Sequence, residues 1–217
     1  MNIVHGNDLA DDRLKRFVDS GVTFSVAPEN EMAQGHGHPI TGRLRKLGAR
    51  PSLGVDLESV ISGDLLTVAR MALEHQRALD NAECRALTGG IPATSTIPAR
   101  EALAWITLEG ARMLGMQDRL GSIAAGKQAD LVLLRSDALN LWPVHDPVAT
   151  VVMQANVANI DSVMIAGEWR KRDGQLLYKG LDRVKAELLG SASRILSELG
   201  WRPDSGRAEE SAQRATH

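Results

Sequence analysis

The stretch RPSLGVDLES, residues 50–59, runs apolar through Leu53, Gly54 and Val55 and then stops on Asp56, with a second acid, Glu58, two places on. A strand fit for burial that ends in a carboxylate matters in a parallel α/β architecture, because there ligands bind where the carboxyl ends of the strands meet. The neighbouring segments decide whether this is such an architecture.

Upstream, residues 3–5 are a short apolar run ending on His5, and 11–20 place Leu14, Phe17 and Val18 on one helical face before Gly21. The β-branched run 22–26 follows, then a polar loop, 27–38, and a short helix, 39–48, with Pro39 in its first turn and Gly48 as its C-cap. Downstream of Asp56, a loop with Ser59, Ser62 and Gly63 leads into a long helix from Asp64 to about Leu87, whose stripe is Leu65, Val68, Ala69, Ala72 and Leu79. A loop, 88–97, precedes one further helix, 98–114, closed by Gly115. Alternation of this kind predicts parallel strands with covering helices.

Beyond Gly115 the texture changes to short strands: ADLVLL (129–134), VATVVM (148–153), DSVMIAG (161–167) and EWRKRDGQLL (168–177), the last with Asp173-Gly174 as a hairpin turn. Leu181, Val184, Leu188, Ile195 and Leu199 mark a final helix, and from Pro203 onward there is almost nothing to bury, which predicts a disordered tail.

Composition removes several function classes. A net charge of −2, from 25 basic and 27 acidic residues, supplies no field to attract nucleic acid or an anionic membrane. No stretch reaches the roughly 18 apolar residues of a membrane span, and MNIVHGNDLADD lacks the basic and apolar regions of a secretory signal. A cytoplasmic protein is expected. The single cysteine, Cys84, allows neither an internal disulfide nor a cysteine zinc site.

The ends of the first three strands carry the chemistry. His5, the run Pro28-Glu29-Asn30-Glu31 and Asp56 should converge, and an imidazole beside a carboxylate can bind a divalent metal and manage the proton of a water. The plain alternative is a satisfied strand-end histidine and a turn-capping aspartate. His36 and His38, in GHGHP, point to the same side of an extended segment, so they read as metal ligands, as substrate contacts or as an entry loop to the helix at Pro39. Glu29 and Glu31 share that loop and read either as substrate contacts or as a solvated acidic pair. His75 reads as a surface residue and His145 as part of a turn. GSIAAGKQ, 121–128, has the spacing of a phosphate loop, but Gln128 stands where Ser or Thr is needed and a strand follows where a helix is needed. It reads as a glycine turn feeding the small β unit.

His5-Gly-Asn-Asp-Leu before a helix, the loop from Pro28, SLGVD ending on Asp56, and the later GSIAAGKQADLVLL and VMIAGEWRKRDGQLL together resemble the C-terminal half of the amidohydrolase superfamily, in its cytosine deaminase and atrazine chlorohydrolase-like branch, over about residues 3–200. The resemblance implies an α/β fold: the C-terminal part of a (β/α)8 metallohydrolase barrel, about three of its eight strands, in 1–115, part of a small β-sandwich in 116–179, a C-terminal helix in 180–201 and a tail in 202–217. It implies that zinc or iron activates water for hydrolysis of a C–N or related bond in a small heterocyclic substrate. Asp56 would bind that metal and accept a proton, His5 would orient water or substrate, and Glu29, Glu31, His36 and His38 would lie where the substrate is contacted. The family's His-x-His and its later metal histidine have no counterpart here. The chain is therefore expected to bind no metal and to be inactive alone, with an apolar sheet face exposed, and to need a complementing N-terminal chain. Homo-oligomers are also implied. The other expectation is a non-catalytic remnant that acts as an interaction module.

Overall fold

Three parallel strands, β1 (Asn2–Val4), β2 (Thr23–Val26) and β3 (Ser52–Leu53), form a sheet in the order β1-β2-β3, with Val4 paired to Ser25 and Val26 to Leu53. The computed structural model describes residues 1–201; the expected disordered tail, 202–217, lies outside the described residues. The strands are joined by α1 (Asp11–Asp19), and by α2 (Pro28–Ala33) with α3 (Thr41–Lys46). Parallel pairing needs such crossovers, because a tight turn cannot return the chain in the same direction.

Side chains alternate across the sheet, and its two faces differ. Phe24, Val26 and Leu53 join Leu14, Ile40, Leu44 and the helices that follow in one buried core. On the other face Asn2 donates to Ser25 Oγ at 3.0 Å and Ser25 Oγ lies 2.8 Å from Ser52 Oγ, with Val4 56% exposed. The expected apolar open face is thus corrected: hydroxyls and an amide line it, and Val4 is its one strongly exposed apolar residue in β1–β3.

The long helix α4 (Leu65–Thr88) starts where Asp64 caps it, accepting from Leu66 N at 2.9 Å and from Thr67 Oγ1 at 2.7 Å, and ends at Gly89 in the left-handed region. It buries Val68, Ala69, Ala72, Leu73 and Gln76, while Leu65 is exposed. The single helix expected over 98–114 is two, α5 (Ala99–Trp105) and α6 (Leu108–Met113). At the break Thr107 turns out of helical geometry and its hydroxyl bonds the Leu103 carbonyl at 2.7 Å, a side-chain competitor for the helical ladder. Arg45 and Glu101 form a two-bonded ion pair between α3 and α5.

Two further expectations are corrected. The polar loop 27–38 contains α2, with Pro28 at its first position, and VATVVM is not a strand but the body of α7 (Pro147–Met153). Asp146 accepts from Val148 N and Ala149 N, and Pro147 supplies a preset φ, so capping outweighs the β-branched composition. Val152 is fully buried in the same core as Phe24, so the boundary expected at 115/116 does not separate two cores.

An antiparallel sheet joins β4 (Leu131–Leu134), which precedes α7, to β5 (Ile160–Ile165) and β6 (Glu168–Arg172), which follow it, with a single-turn 3-10 helix at Val157–Asn159. Asp173 and Gly174 both have positive φ, 49° and 78°, as the expected hairpin turn requires, and lead to β7 (Gln175–Leu176). The chain divides into two units, Met1–Gln175 and a second that begins at Leu176 and contains α8 (Leu181–Glu198). Among the described residues no helix is long and apolar enough to cross a membrane.

The phosphate-loop spacing at 121–128 is structural. Lys127 Nζ donates to the Leu120 carbonyl at 3.2 Å and to Ser122 Oγ at 2.7 Å, closing the loop on itself. Gly121, at φ +83°, lies so close to α6 that a Cβ would stand 2.7 Å from Ala111 Cβ and 2.9 Å from Leu108 Cα. Gly121→Ala therefore combines overpacking with left-handed strain and is expected to cost about 2–4 kcal/mol. A thermal melt should show this as a loss of about 4–16 °C; an unchanged melt would refute the close approach.

Candidate functional site

The site lies at the carboxyl ends of β1, β2 and β3. His5 follows β1 and still donates its backbone N–H to the Ser25 carbonyl at 2.9 Å, while Gly54 N–H reaches the Val26 carbonyl at 3.0 Å on the other side of β2. Parallel register thus places His5, Ala27 and the 54–56 segment side by side. His5 and Asp56 both have φ of +66°, a region that non-glycine residues seldom enter. Two such residues, after the strands that flank β2, mark segments whose backbone is set by something other than local preference.

His5 Nε2 lies 3.4 Å from Asp56 Oδ2, and Asn30 Nδ2 donates to the same oxygen. Behind the imidazole stands Glu31, wholly buried, with Oε1 3.0 Å from His5 Nδ1 and 2.9 Å from the Ala27 N–H that donates to it. Glu31 Oε2 accepts from Asn7 Nδ2 at 3.1 Å. Arg43 secures the loop after β1, bonding Asp11 and the carbonyls of Asn7 and Leu9.

The expected site residues do not all play one part. His5, at 29% side-chain exposure, and Asp56, at 39%, meet as expected. Glu31 is neither half of a solvated pair nor placed to touch a small molecule, because it has no exposed surface; Glu29 instead binds Ser62 through N–H and hydroxyl at 3.0 and 2.6 Å. The histidines of GHGHP diverge: the His36 ring stands edge-on to His5 at 5.4 Å, whereas His38 Nδ1 lies 3.0 Å from His75 Nε2. His75 is consequently half-buried rather than a surface residue, and His145 is exposed. Asn7, and Asn30 beyond its place in the run with Glu29 and Glu31, carry no sequence signal of their part other than position, Asn7 two residues after His5 and Asn30 between two glutamates.

The donor set suits a divalent ion in kind, carboxylate with imidazole, but not in number. Among the described residues no three His, Cys, Asp or Glu side chains are arranged so that they could hold one ion together, where protein zinc sites use three or four.

Burial holds the His75 imidazole below its ordinary value of 6.5; the neighbouring His38 pushes the same way and Glu31 opposes. Its Nδ1 is buried and finds no partner among the described residues, so an added proton there goes uncompensated. The unfolded chain then binds the proton more readily. Stability from this group is complete above the unfolded value near 6.5 and is lost as pH falls below it. Urea unfolding from about pH 7.5 to 5 should show a shallower acid decline in His75→Gln than in wild type, and parallel declines would exclude His75 as a contributor.

Comparison with known proteins shows what the chain as a whole is similar to. Residues 5–170 match the profile of the Amidohydrolase family. Over 196 residues the chain is 33% identical to an 8-oxoguanine deaminase of Pseudomonas aeruginosa, covering 90% of this chain and 40% of that protein. It is 30% identical over 199 residues to a 5-methylthioadenosine/S-adenosylhomocysteine deaminase of Teredinibacter turnerae, with 91% and 41% covered. Among solved structures, an adenosine deaminase from Xanthomonas campestris with bound zinc superposes with a TM-score of 0.76 at 26% identity, over 90% of this chain and 42% of that one. An atrazine chlorohydrolase from Arthrobacter aurescens, complexed with zinc and atraton, shares the fold at a TM-score of 0.73 and 21% identity, with 87% and 40% covered. The chain thus spans about 40% of the length of these relatives.

Proposed function

Because this chain belongs to the amidohydrolase family, we propose that it supplies the C-terminal strands of a metal-dependent barrel that hydrolyses a C–N bond of a small heterocycle, deamination being the reaction of its deaminase relatives. The observation that carries the proposal is the meeting of His5 and Asp56, 3.4 Å apart, from strands that flank β2, each on a left-handed backbone.

In this reading Asp56 is one ligand of a divalent ion, zinc or iron, whose other ligands come from outside the described residues. Such an ion, when bound, acidifies water and polarises the carbon under attack. The residues of this chain handle protons and orientation. Asp56 accepts a proton from the attacking water and passes it to the departing amino nitrogen, so that water and an aminated heterocycle become the oxo compound and ammonia. His5 holds the water or the developing oxygen in line, and Asn30 keeps the Asp56 carboxylate turned toward it. Glu29, His36 and His38 border the substrate. A cytoplasmic location, and association either with a complementing chain or with further copies, complete the proposal.

The test is metal binding and ammonia release. The chain alone should hold well under one zinc per molecule by elemental analysis and release no ammonia from aminated purines, pyrimidines or triazines. Mixed with a polypeptide that carries a His-x-His and a further histidine in barrel strands, it should gain zinc and activity together. Tight stoichiometric zinc in the chain alone, or activity that does not depend on it, would overturn the proposal.

A further inference from the structure

We propose that Glu31 is a positioning residue that holds His5 as the tautomer with its proton on Nδ1 and its bare Nε2 turned toward Asp56. The inference rests on the function proposed above for its purpose, but its geometry is independent of any substrate.

Every polar atom facing the Glu31 carboxylate is a donor. Ala27 N–H can only donate, and it lies 2.9 Å from Oε1. Asn7 must present its nitrogen to Oε2, because the same amide reaches the His38 backbone carbonyl at 3.0 Å, and a carbonyl can only accept. Both carboxylate oxygens are therefore acceptors in these contacts. The ring faces two acceptors, Glu31 Oε1 at 3.0 Å from Nδ1 and Asp56 Oδ2 at 3.4 Å from Nε2; the nearer contact, to a carboxylate fixed in the core, takes the one proton of the neutral ring, while Asp56 Oδ2 already accepts from Asn30. With Nδ1 protonated, the neutral ring has its lone pair on Nε2, on the side of Asp56 and of the reacting water. Glu31 is at 0% exposure and cannot swing to another partner, and α2, which carries it, is anchored at the end of β2. Asn7 also joins this pair to the 34–40 loop through His38, so orientation of His5 and closure of that loop share one carboxylate.

The experiment reads ring nitrogens directly, by long-range proton–nitrogen correlation on the 15N-labelled 217-residue chain in alkaline buffer, with His5 assigned by its loss in His5→Gln. Wild type should show His5 protonated on Nδ1 and bare on Nε2. Glu31→Leu removes the acceptor at Nδ1 and leaves Asp56 Oδ2 as the acceptor the ring faces, so the proton should move to Nε2. A wild-type His5 protonated on Nε2 overturns the proposal, even if Glu31→Leu fails to fold. So does a folded Glu31→Leu whose His5 tautomer is unchanged, since that is what a merely structural glutamate would leave. Failure of the proposed function shows elsewhere, as absent zinc-dependent ammonia release, and does not alter this readout.

Discussion

Asp56→Asn is expected to lower turnover of the zinc-loaded assembly by about a thousandfold or more while leaving the chain folded. The substitution hardly changes volume, and an asparagine oxygen can still accept the Asn30 Nδ2–H that now goes to Asp56 Oδ2. What it removes is the negative charge and the basic oxygen. A carboxylate that both binds a cation and carries a proton cannot be replaced by an amide, which is a poor ligand and a negligible base. With a side chain 39% exposed, position 56 should change stability by no more than about 0.5 kcal/mol. The measurement pairs steady-state ammonia release at saturating zinc with a thermal melt of both proteins. Wild-type rates in the variant would remove Asp56 from its assigned part, whereas loss of rate together with loss of the melt would show a structural role instead.

The second large effect concerns the fold. Trp105, at 1% exposure, is the largest fully buried side chain and lies in the core with Phe24, Leu73 and Ile97. Trp105→Ala deletes the indole and leaves a cavity that α5, held by the Arg45–Glu101 pair and by its packing on α7, can only partly close. The expected cost is about 3–5 kcal/mol, a large part of the roughly 5–15 kcal/mol that holds a domain folded. The melting temperature should fall by about 6–20 °C. Leu139→Ala, at a side chain 92% exposed, is the matched control and should stay within about 0.5 kcal/mol of wild type. Equal effects at the two positions would mean that the core is not where the structure puts it.

The strand–helix alternation, the long helix capped by Asp64, the Asp173-Gly174 turn and the family were legible in the sequence, because each is written in local chemistry: apolar periodicity, capping side chains and residues that tolerate positive φ. Where local signals competed, reading failed. VATVVM has β-branched composition yet is a helix, since Asp146 and Pro147 cap it and the core takes Val152; the reverse occurs at Thr107, where a helical stripe conceals a break. The sequence by itself also determined that His5 and Asp56 follow strands, although β3 stops at Leu53, short of Asp56. That they meet, and that Glu31 lies buried beneath His5 rather than in solvent, was decided only by tertiary structure. His5 and Asp56, far apart in sequence, come within 3.4 Å because parallel register aligns the strand ends, and a glutamate reads as solvated until the fold surrounds its carboxylate with Ala27, Asn7 and His5.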